Sequence, residues 1–109
     1  MKEKGQPKDS NILSRAAIDA ACTAFGISAK QFFSDSRLGQ FCNARRAACN
    51  LMYDAGITSC RMIALRIHRT HATVYHHLAT HKDLYLYDLK YHKSYDNAKS
   101  IFFAANVSK

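Results

Sequence analysis

The sequence is poor in helix-breaking residues and in acidic residues. It has one proline, four glycines and no tryptophan among 109 residues, and eight Asp and Glu against sixteen Lys and Arg. Sandwiches and barrels of β-strands need many tight turns, so this scarcity of Gly and Pro favours an all-α fold, a compact helical bundle. The length suits one domain, and a hydrophobic content of 48 % is enough to pack a core.

The sequence also lacks a membrane-length apolar run, a signal-peptide pattern and a CxxC pair. No segment approaches the ~20 apolar residues of a membrane span, and residues 1–10 are polar. We therefore expect a cytoplasmic, nucleoid-associated protein with no membrane partner. Without a secretion signal, cysteines in a helical core are expected as free, buried thiols, and the chain has four, Cys22, Cys42, Cys49 and Cys60.

Motifs of catalysis and of cofactor binding are missing as well. Six histidines are present, but their spacing matches no zinc-finger pattern. No Gly-rich loop ending in Lys-Ser/Thr occurs, and no Ser-His-Asp pattern or pair of carboxylates stands out. We therefore expect no enzymatic activity, no cofactor and no metal site.

The formal net charge of +8 is the first clue to function. A domain this basic attracts polyanions, above all nucleic acid. No acidic residue lies between Ser59 and Lys82, and basic side chains surround that segment. The phosphate backbone is expected to be contacted by Arg46, Arg61, Arg66, Arg69, His76 and Lys82.

Apolar residues at three- and four-residue steps predict a series of helices. We expect a disordered basic tail over 1–10, a helix over 12–25, a short helix after a capping box of Ser28 and Gln31, and a helix over 41–55. These elements open a DNA-binding domain that spans residues 11–82.

The segment over 59–81 has the pattern of a helix-turn-helix. Ser59 is a suitable N-cap for a short helix, His68 and Arg69 form a turn, and Thr70 is a suitable N-cap for a second helix. In this motif the first residues of the second helix face base edges in the major groove. Hydroxyl, imidazole and methyl groups all suit base edges, so the base-reading candidates are Thr70, His71, Ala72 and Thr73.

Residues 69–76 read Arg-Thr-His-Ala-Thr-Val-Tyr-His. This run is similar to the signature Gly-Arg-Asp-His-Thr-Thr-Val-x-His of the C-terminal DNA-binding domain of the bacterial replication initiator DnaA. The family has similar residues at three other places in the chain: Phe25-Gly26-Ile27, Phe32-Phe33-Ser34 and Ile63-Ala64. The stretch over 18–84 therefore resembles this domain, a helical bundle of the Trp-repressor-like helix-turn-helix superfamily.

The resemblance implies roles for individual residues. His71 and Thr73 match family positions that read bases in the major groove. Arg37 matches an arginine of a basic loop that enters the minor groove. Arg45 and Arg69 match positions near the phosphate backbone.

The chain also departs from the family pattern. Thr70 replaces an Asp, and Ala72 replaces a Thr. The basic loop is less cationic over residues 38–40. An altered or relaxed target sequence is therefore expected, and without the initiator's ATPase module the chain does not open an origin by ATP hydrolysis.

A C-terminal helical extension over 83–109 is predicted after this domain. Apolar residues recur there at helical steps: Leu84, Tyr87, Tyr91, Tyr95, Ala98, Phe102 and Ala105. We expect a helix or two that pack on the bundle or mediate a homodimer. Stacking of the tyrosines on bases is the alternative.

Taken together, these patterns predict a sequence-preferring double-stranded DNA-binding protein. It would serve as a transcriptional regulator or as a replication accessory factor. The alternative is a protein-interaction module, an adaptor or an inhibitor of host replication or transcription proteins. In that case the helices are a scaffold and the Tyr-rich C-terminal segment binds the partner.

Overall fold

A computed structural model describes residues 10–107 of the chain. All regular secondary structure in that range is helical, which confirms the predicted all-α bundle. The predicted tail lies outside the described residues except for Ser10, the first residue of α1. Six helices follow in order: α1 (Ser10–Phe25), α2 (Ala29–Phe32), α3 (Gly39–Asp54), α4 (Cys60–Ile67), α5 (His71–Tyr87) and α6 (Leu89–Val107).

Local capping sets the ends of the first helices. After α1, Gly26 has a φ of 69°, a left-handed conformation that glycine adopts without strain. The predicted capping box is present: Gln31 N–H donates to Ser28 Oγ at 3.1 Å, and Ser28 N–H donates to Gln31 Oε1 at 2.8 Å. α3 begins two residues earlier than predicted, because the Gln40 side chain donates to the Phe25 carbonyl at 2.6 Å and fastens this turn to α1.

Helix α3 lies at the centre of the bundle and packs against each of the other five helices. Its inner face alternates small and large residues. The alanines at 44, 47 and 48 have no exposed surface, so the neighbouring helices approach closely, while Leu51 and Met52 fill the space between them.

Helix α6 is part of this same core. It packs on α1, α3 and α5, and Tyr91, Tyr95 and Phe102 are each no more than 3 % exposed. The expectation that the extension packs on the bundle is therefore confirmed, and the same aromatic residues are not available for stacking on bases. The predicted boundary between 82 and 83 falls inside α5, which continues to Tyr87.

The four cysteines are free thiols, as expected. Cys22 and Cys49 are buried, and burial raises the pKa of Cys22 to about 11 and that of Cys49 to about 12. Cys42 and Cys60 are half-buried. Over residues 10–107, no helix combines the length and the apolarity that crossing a bilayer requires.

Replacement of Tyr91 by alanine is expected to destabilise the whole bundle, because α6 shares its core. The change removes a buried ring and also takes from His81 Nδ1 its partner, the Tyr91 hydroxyl at 2.8 Å. We expect the free energy of unfolding to fall by about 3–5 kcal/mol in a denaturant titration. Tyr87→Ala is the control, because Tyr87 is 84 % exposed. A Tyr91→Ala protein as stable as the control would contradict a shared core.

Candidate nucleic-acid interface

The predicted helix-turn-helix corresponds to α4, three connecting residues and α5. α4 begins where the Ser59 hydroxyl accepts from Met62 N–H, and it ends at His68, whose φ of 59° and ψ of 45° are left-handed. This single left-handed residue turns the chain sharply, and the Arg69 N–H then donates to the Ala64 carbonyl at 3.0 Å. Thr70 follows as the N-cap of α5.

Two of the predicted base-reading residues, Thr70 and Thr73, take part in the N-cap of α5. Thr73 N–H donates to Thr70 Oγ1 at 3.2 Å, and the two threonine hydroxyl oxygens lie 3.1 Å apart. Thr70 is exposed and Thr73 is half-buried. Their hydroxyl groups therefore hold the start of α5 in place and leave limited capacity for an external partner.

The outward face of α5 carries the other candidates. His71, Ala72 and His76 are exposed, whereas Val74 and His77 point into the bundle and are buried. Tyr75 belongs to the same outward face and is 69 % exposed. We did not predict a role for Tyr75 from the sequence, although its position four residues after His71 places the two on one side of the helix.

The guanidinium of Arg45 binds carbonyl groups at the end of α2 and in the segment that joins α2 to α3. Its Nε donates to Phe32 O at 2.8 Å, Nη1 donates to Ser36 O at 2.9 Å, and Nη2 donates to Ser34 O at 2.9 Å and to Gln31 O at 3.3 Å. Arg45 is only 3 % exposed. The predicted phosphate contact of Arg45 is therefore corrected, since its donors are used inside the protein.

Arg69 ties the same segment to the turn before α5. Its Nη2 also donates to the Ser34 carbonyl, and its Nη1 donates to the His68 carbonyl at 3.1 Å. Burial lowers the pKa of Arg45, and the nearby positive charge of Arg69 lowers it further. Arg45 thus holds the segment 34–37 against α3, and Arg69 holds it against the turn before α5, with the Ser34 carbonyl as their shared acceptor.

This arrangement brings residues 34–37, called the Arg37 loop below, next to the start of α5. Arg37 is exposed. Together with Asp35, Ser36, Arg45, His68, Arg69, Thr70 and Thr73 it lines an open depression of about 440 Å³. The sequence separates Arg37 from Thr70 by more than thirty residues, so the structure supplies their proximity.

Arg46 is a second predicted phosphate contact that the structure places inside. It is 9 % exposed. Its Nε donates to Thr80 Oγ1 at 2.8 Å, and its Nη1 donates to Asn43 Oδ1 at 2.6 Å. The guanidinium therefore bridges α3 and α5, and we remove Arg46 from the phosphate-contacting set for this reason.

The remaining basic candidates differ in position. Arg66 is half-buried and turns toward α1, where its Nη2 lies 3.4 Å from Ser10 Oγ, so it lies apart from the outward face of α5. Arg61, His76 and Lys82 are exposed. Arg61 also borders a depression of about 520 Å³ with Ala64, Leu65, His68, Arg69 and His71, in which Leu65 is 70 % exposed.

The histidines of α5 have contrasting environments. His77 is buried, and its Nδ1 has no hydrogen-bond partner within residues 10–107, whereas His81 pairs with the Tyr91 hydroxyl. Burial, aided by the charge of Arg46, lowers the pKa of His77 to about 4. Among the described residues, no three or more His, Cys, Asp or Glu side chains are grouped as metal ligands would be.

A comparison of the chain with family models, with curated proteins and with solved structures found no match. The resemblance to the initiator domain therefore stays an expectation. The candidate interface consists of the exposed face of α5, Arg61 at the start of α4, and the Arg37 loop.

Replacement of Arg45 by alanine is expected to act on stability. Two loop carbonyls and two carbonyls at the end of α2 would lose a charged donor, and we expect the free energy of unfolding to fall by about 2–4 kcal/mol in a denaturant titration. Arg37→Ala is the matched control from the same loop and should change stability by no more than about 0.5 kcal/mol. Equal stabilities for the two variants would mean that Arg45 does not hold the loop.

Acid is expected to destabilise the protein through His77. Its folded-state pKa of about 4 lies below its ordinary value, so between roughly pH 6.5 and 4 the unfolded chain binds a proton that the folded chain does not. The free energy of unfolding should therefore decrease as the pH is lowered through that window, by about 1.4 kcal/mol per pH unit from this residue. Denaturant titrations from pH 7 to 4 should show a shallower fall for His77→Leu, and parallel curves would refute this account.

Proposed function

We propose that this chain binds double-stranded DNA with a sequence preference. One observation carries the proposal: the start of α5 and the Arg37 loop lie side by side, joined through Arg69 and the Ser34 carbonyl. Around them, residues 60–81 contain no carboxylate. The adjoining loop carries one exposed arginine, Arg37, and one exposed carboxylate, Asp35. A helix with an exposed, acid-free face beside an exposed arginine suits a duplex, whose major groove admits a helix and whose phosphates attract cations.

The proposed contacts divide by type. His71 and Ala72 on the outward face of α5 would meet base edges in the major groove, with His76 beside the backbone. Arg37 would reach the adjacent minor groove. Phosphate contacts would come from Arg61, Arg69 and Lys82, and these supply affinity without sequence information.

The biological role within this proposal is a transcriptional regulator or a replication accessory factor in the cytoplasm, at the nucleoid. The support is the similarity of residues 69–76 to the initiator signature together with the proposed DNA contacts. Thr70 and Ala72 differ from that signature, and they are the reason that we do not assign the initiator's own target sequence.

A second candidate function is supported by one exposed apolar surface. Leu86, Tyr87 and Leu89, at the corner between α5 and α6, are 60 %, 84 % and 68 % exposed. Neighbouring exposed apolar side chains are typical of protein-interaction sites. Tyr91 and Tyr95 of the Tyr-rich segment are buried and cannot contact a partner. A partner protein, or a second copy of this chain, would therefore bind at this exposed corner.

Binding to duplexes at several salt concentrations tests the DNA proposal. Using fluorescence anisotropy on sequences selected from a random pool, we expect affinity to fall steeply with salt. Arg61→Ala should weaken binding to every duplex and reduce the slope of log K against log salt by about 0.9. His71→Ala should instead reduce the preference for the selected sequence, by about 5- to 150-fold in the affinity ratio.

Lys93→Ala is the control, since it removes one exposed positive charge from α6. This variant should behave like the wild-type protein apart from a small, general charge effect. If no duplex is bound, or if Arg61→Ala and Lys93→Ala weaken binding equally, the proposed interface is wrong. The protein-interaction function then becomes the leading one.

A further inference from the structure

Tyr75 is the largest exposed side chain among residues 71–80 of α5. It is 69 % exposed. Among the described residues, no hydrogen bond or aromatic ring contact involves it, in contrast to the buried Tyr91, which pairs with His81 and lies near Phe25 and Tyr95. A large part of the ring's apolar surface therefore stays in water.

The residues around Tyr75 place it where a groove would be met. Ala72 and Ala79, three residues before and four residues after it, are exposed and small, so the backbone of α5 can approach a surface on this side. His71, four residues before Tyr75, lies on the same side of the helix, and the exposed His76 is the next residue along the chain. No carboxylate lies on the helix before Asp83.

We propose that Tyr75 is a specificity-determining residue that contacts the C5-methyl group of thymine in the major groove. This inference rests on the proposed DNA-binding function. The methyl group is the one apolar feature that a base pair presents in that groove. Burial of the ring against it removes apolar surface of both partners from water, which a cytosine or a guanine at that position does not offer.

The experiment removes the methyl group without any other change. In the duplex selected by the wild-type protein, each thymine is replaced in turn by uracil, and binding is measured for four proteins: wild type, Tyr75→Phe, Tyr75→Ala and Tyr87→Ala. Tyr87→Ala is the matched control, because it removes an exposed tyrosine from the far end of the same helix. Circular dichroism checks that the variants remain folded.

We expect the wild-type protein to bind about fourfold more weakly when the contacted thymine becomes uracil, the effect of one buried methyl group. Tyr75→Phe and Tyr87→Ala should keep this difference. Tyr75→Ala should bind the thymine duplex more weakly and should no longer distinguish thymine from uracil.

Three results would overturn the inference while leaving the proposed function intact. These are a selected sequence without thymine, equal binding of the wild-type protein to the thymine duplex and to every uracil-substituted duplex, and unchanged thymine–uracil discrimination in Tyr75→Ala. Failure of the proposed function gives a different result, since the wild-type protein would then bind no duplex and Arg61→Ala would have no effect of its own.

Discussion

The carbonyl oxygen of Ser34 accepts hydrogen bonds from two guanidinium groups, that of Arg45 on α3 and that of Arg69 in the turn before α5. A loop without regular structure has few ways to satisfy its carbonyls, and here a nearly buried arginine supplies charged donors to those of Ser34 and Ser36 and to two more at the end of α2. Arg69 connects this loop to the turn before α5 by its hydrogen bond to the Ser34 carbonyl. The proximity of Arg37 to the start of α5 depends on the hydrogen bond between Arg69 and the Ser34 carbonyl.

The rest of the bundle supports that arrangement from behind. Arg46 joins α3 to Thr80 in the middle of α5, and Asn50 donates to the His77 carbonyl at 3.4 Å. α6 closes the other side of the core with Tyr91, Tyr95 and Phe102. The outward face of α5 is therefore presented by a helix whose inner face is fixed along several turns, so its exposed side chains keep a constant spacing.

Local features of the structure were predictable, because they depend on neighbours in sequence. The Ser28–Gln31 capping box, the N-caps at Ser59 and Thr70, and the left-handed Gly26 each involve residues no more than a few positions apart. The fate of Arg45 and Arg46 was not predictable in this way. Their acceptors lie 3 to 34 residues away, so these two arginines resembled surface cations until the helices were packed.

The burial of Tyr91 and Tyr95 and the exposure of Tyr75 were likewise not predictable from neighbours in sequence. Their helical spacing predicted the helices, but only tertiary packing decides which aromatic rings enter the core. Tyr91 and Tyr95 pack against residues of α1 and α5 and are buried, whereas Tyr75 is 69 % exposed. His77 likewise points inward, where burial keeps it neutral, while its neighbour His76 points to solvent.

The central claim is that the Arg37 loop and the start of α5 act as one surface toward a single duplex. Its most direct test is a titration of the isotope-labelled protein with duplex DNA, followed by amide chemical shifts in NMR spectra. We expect amides of residues 34–38 and 70–76 to shift together, with one affinity that weakens as salt is added, while those of residues 86–90 stay unchanged. Shifts confined to residues 86–90, or separate affinities for the loop and for α5, would contradict the claim.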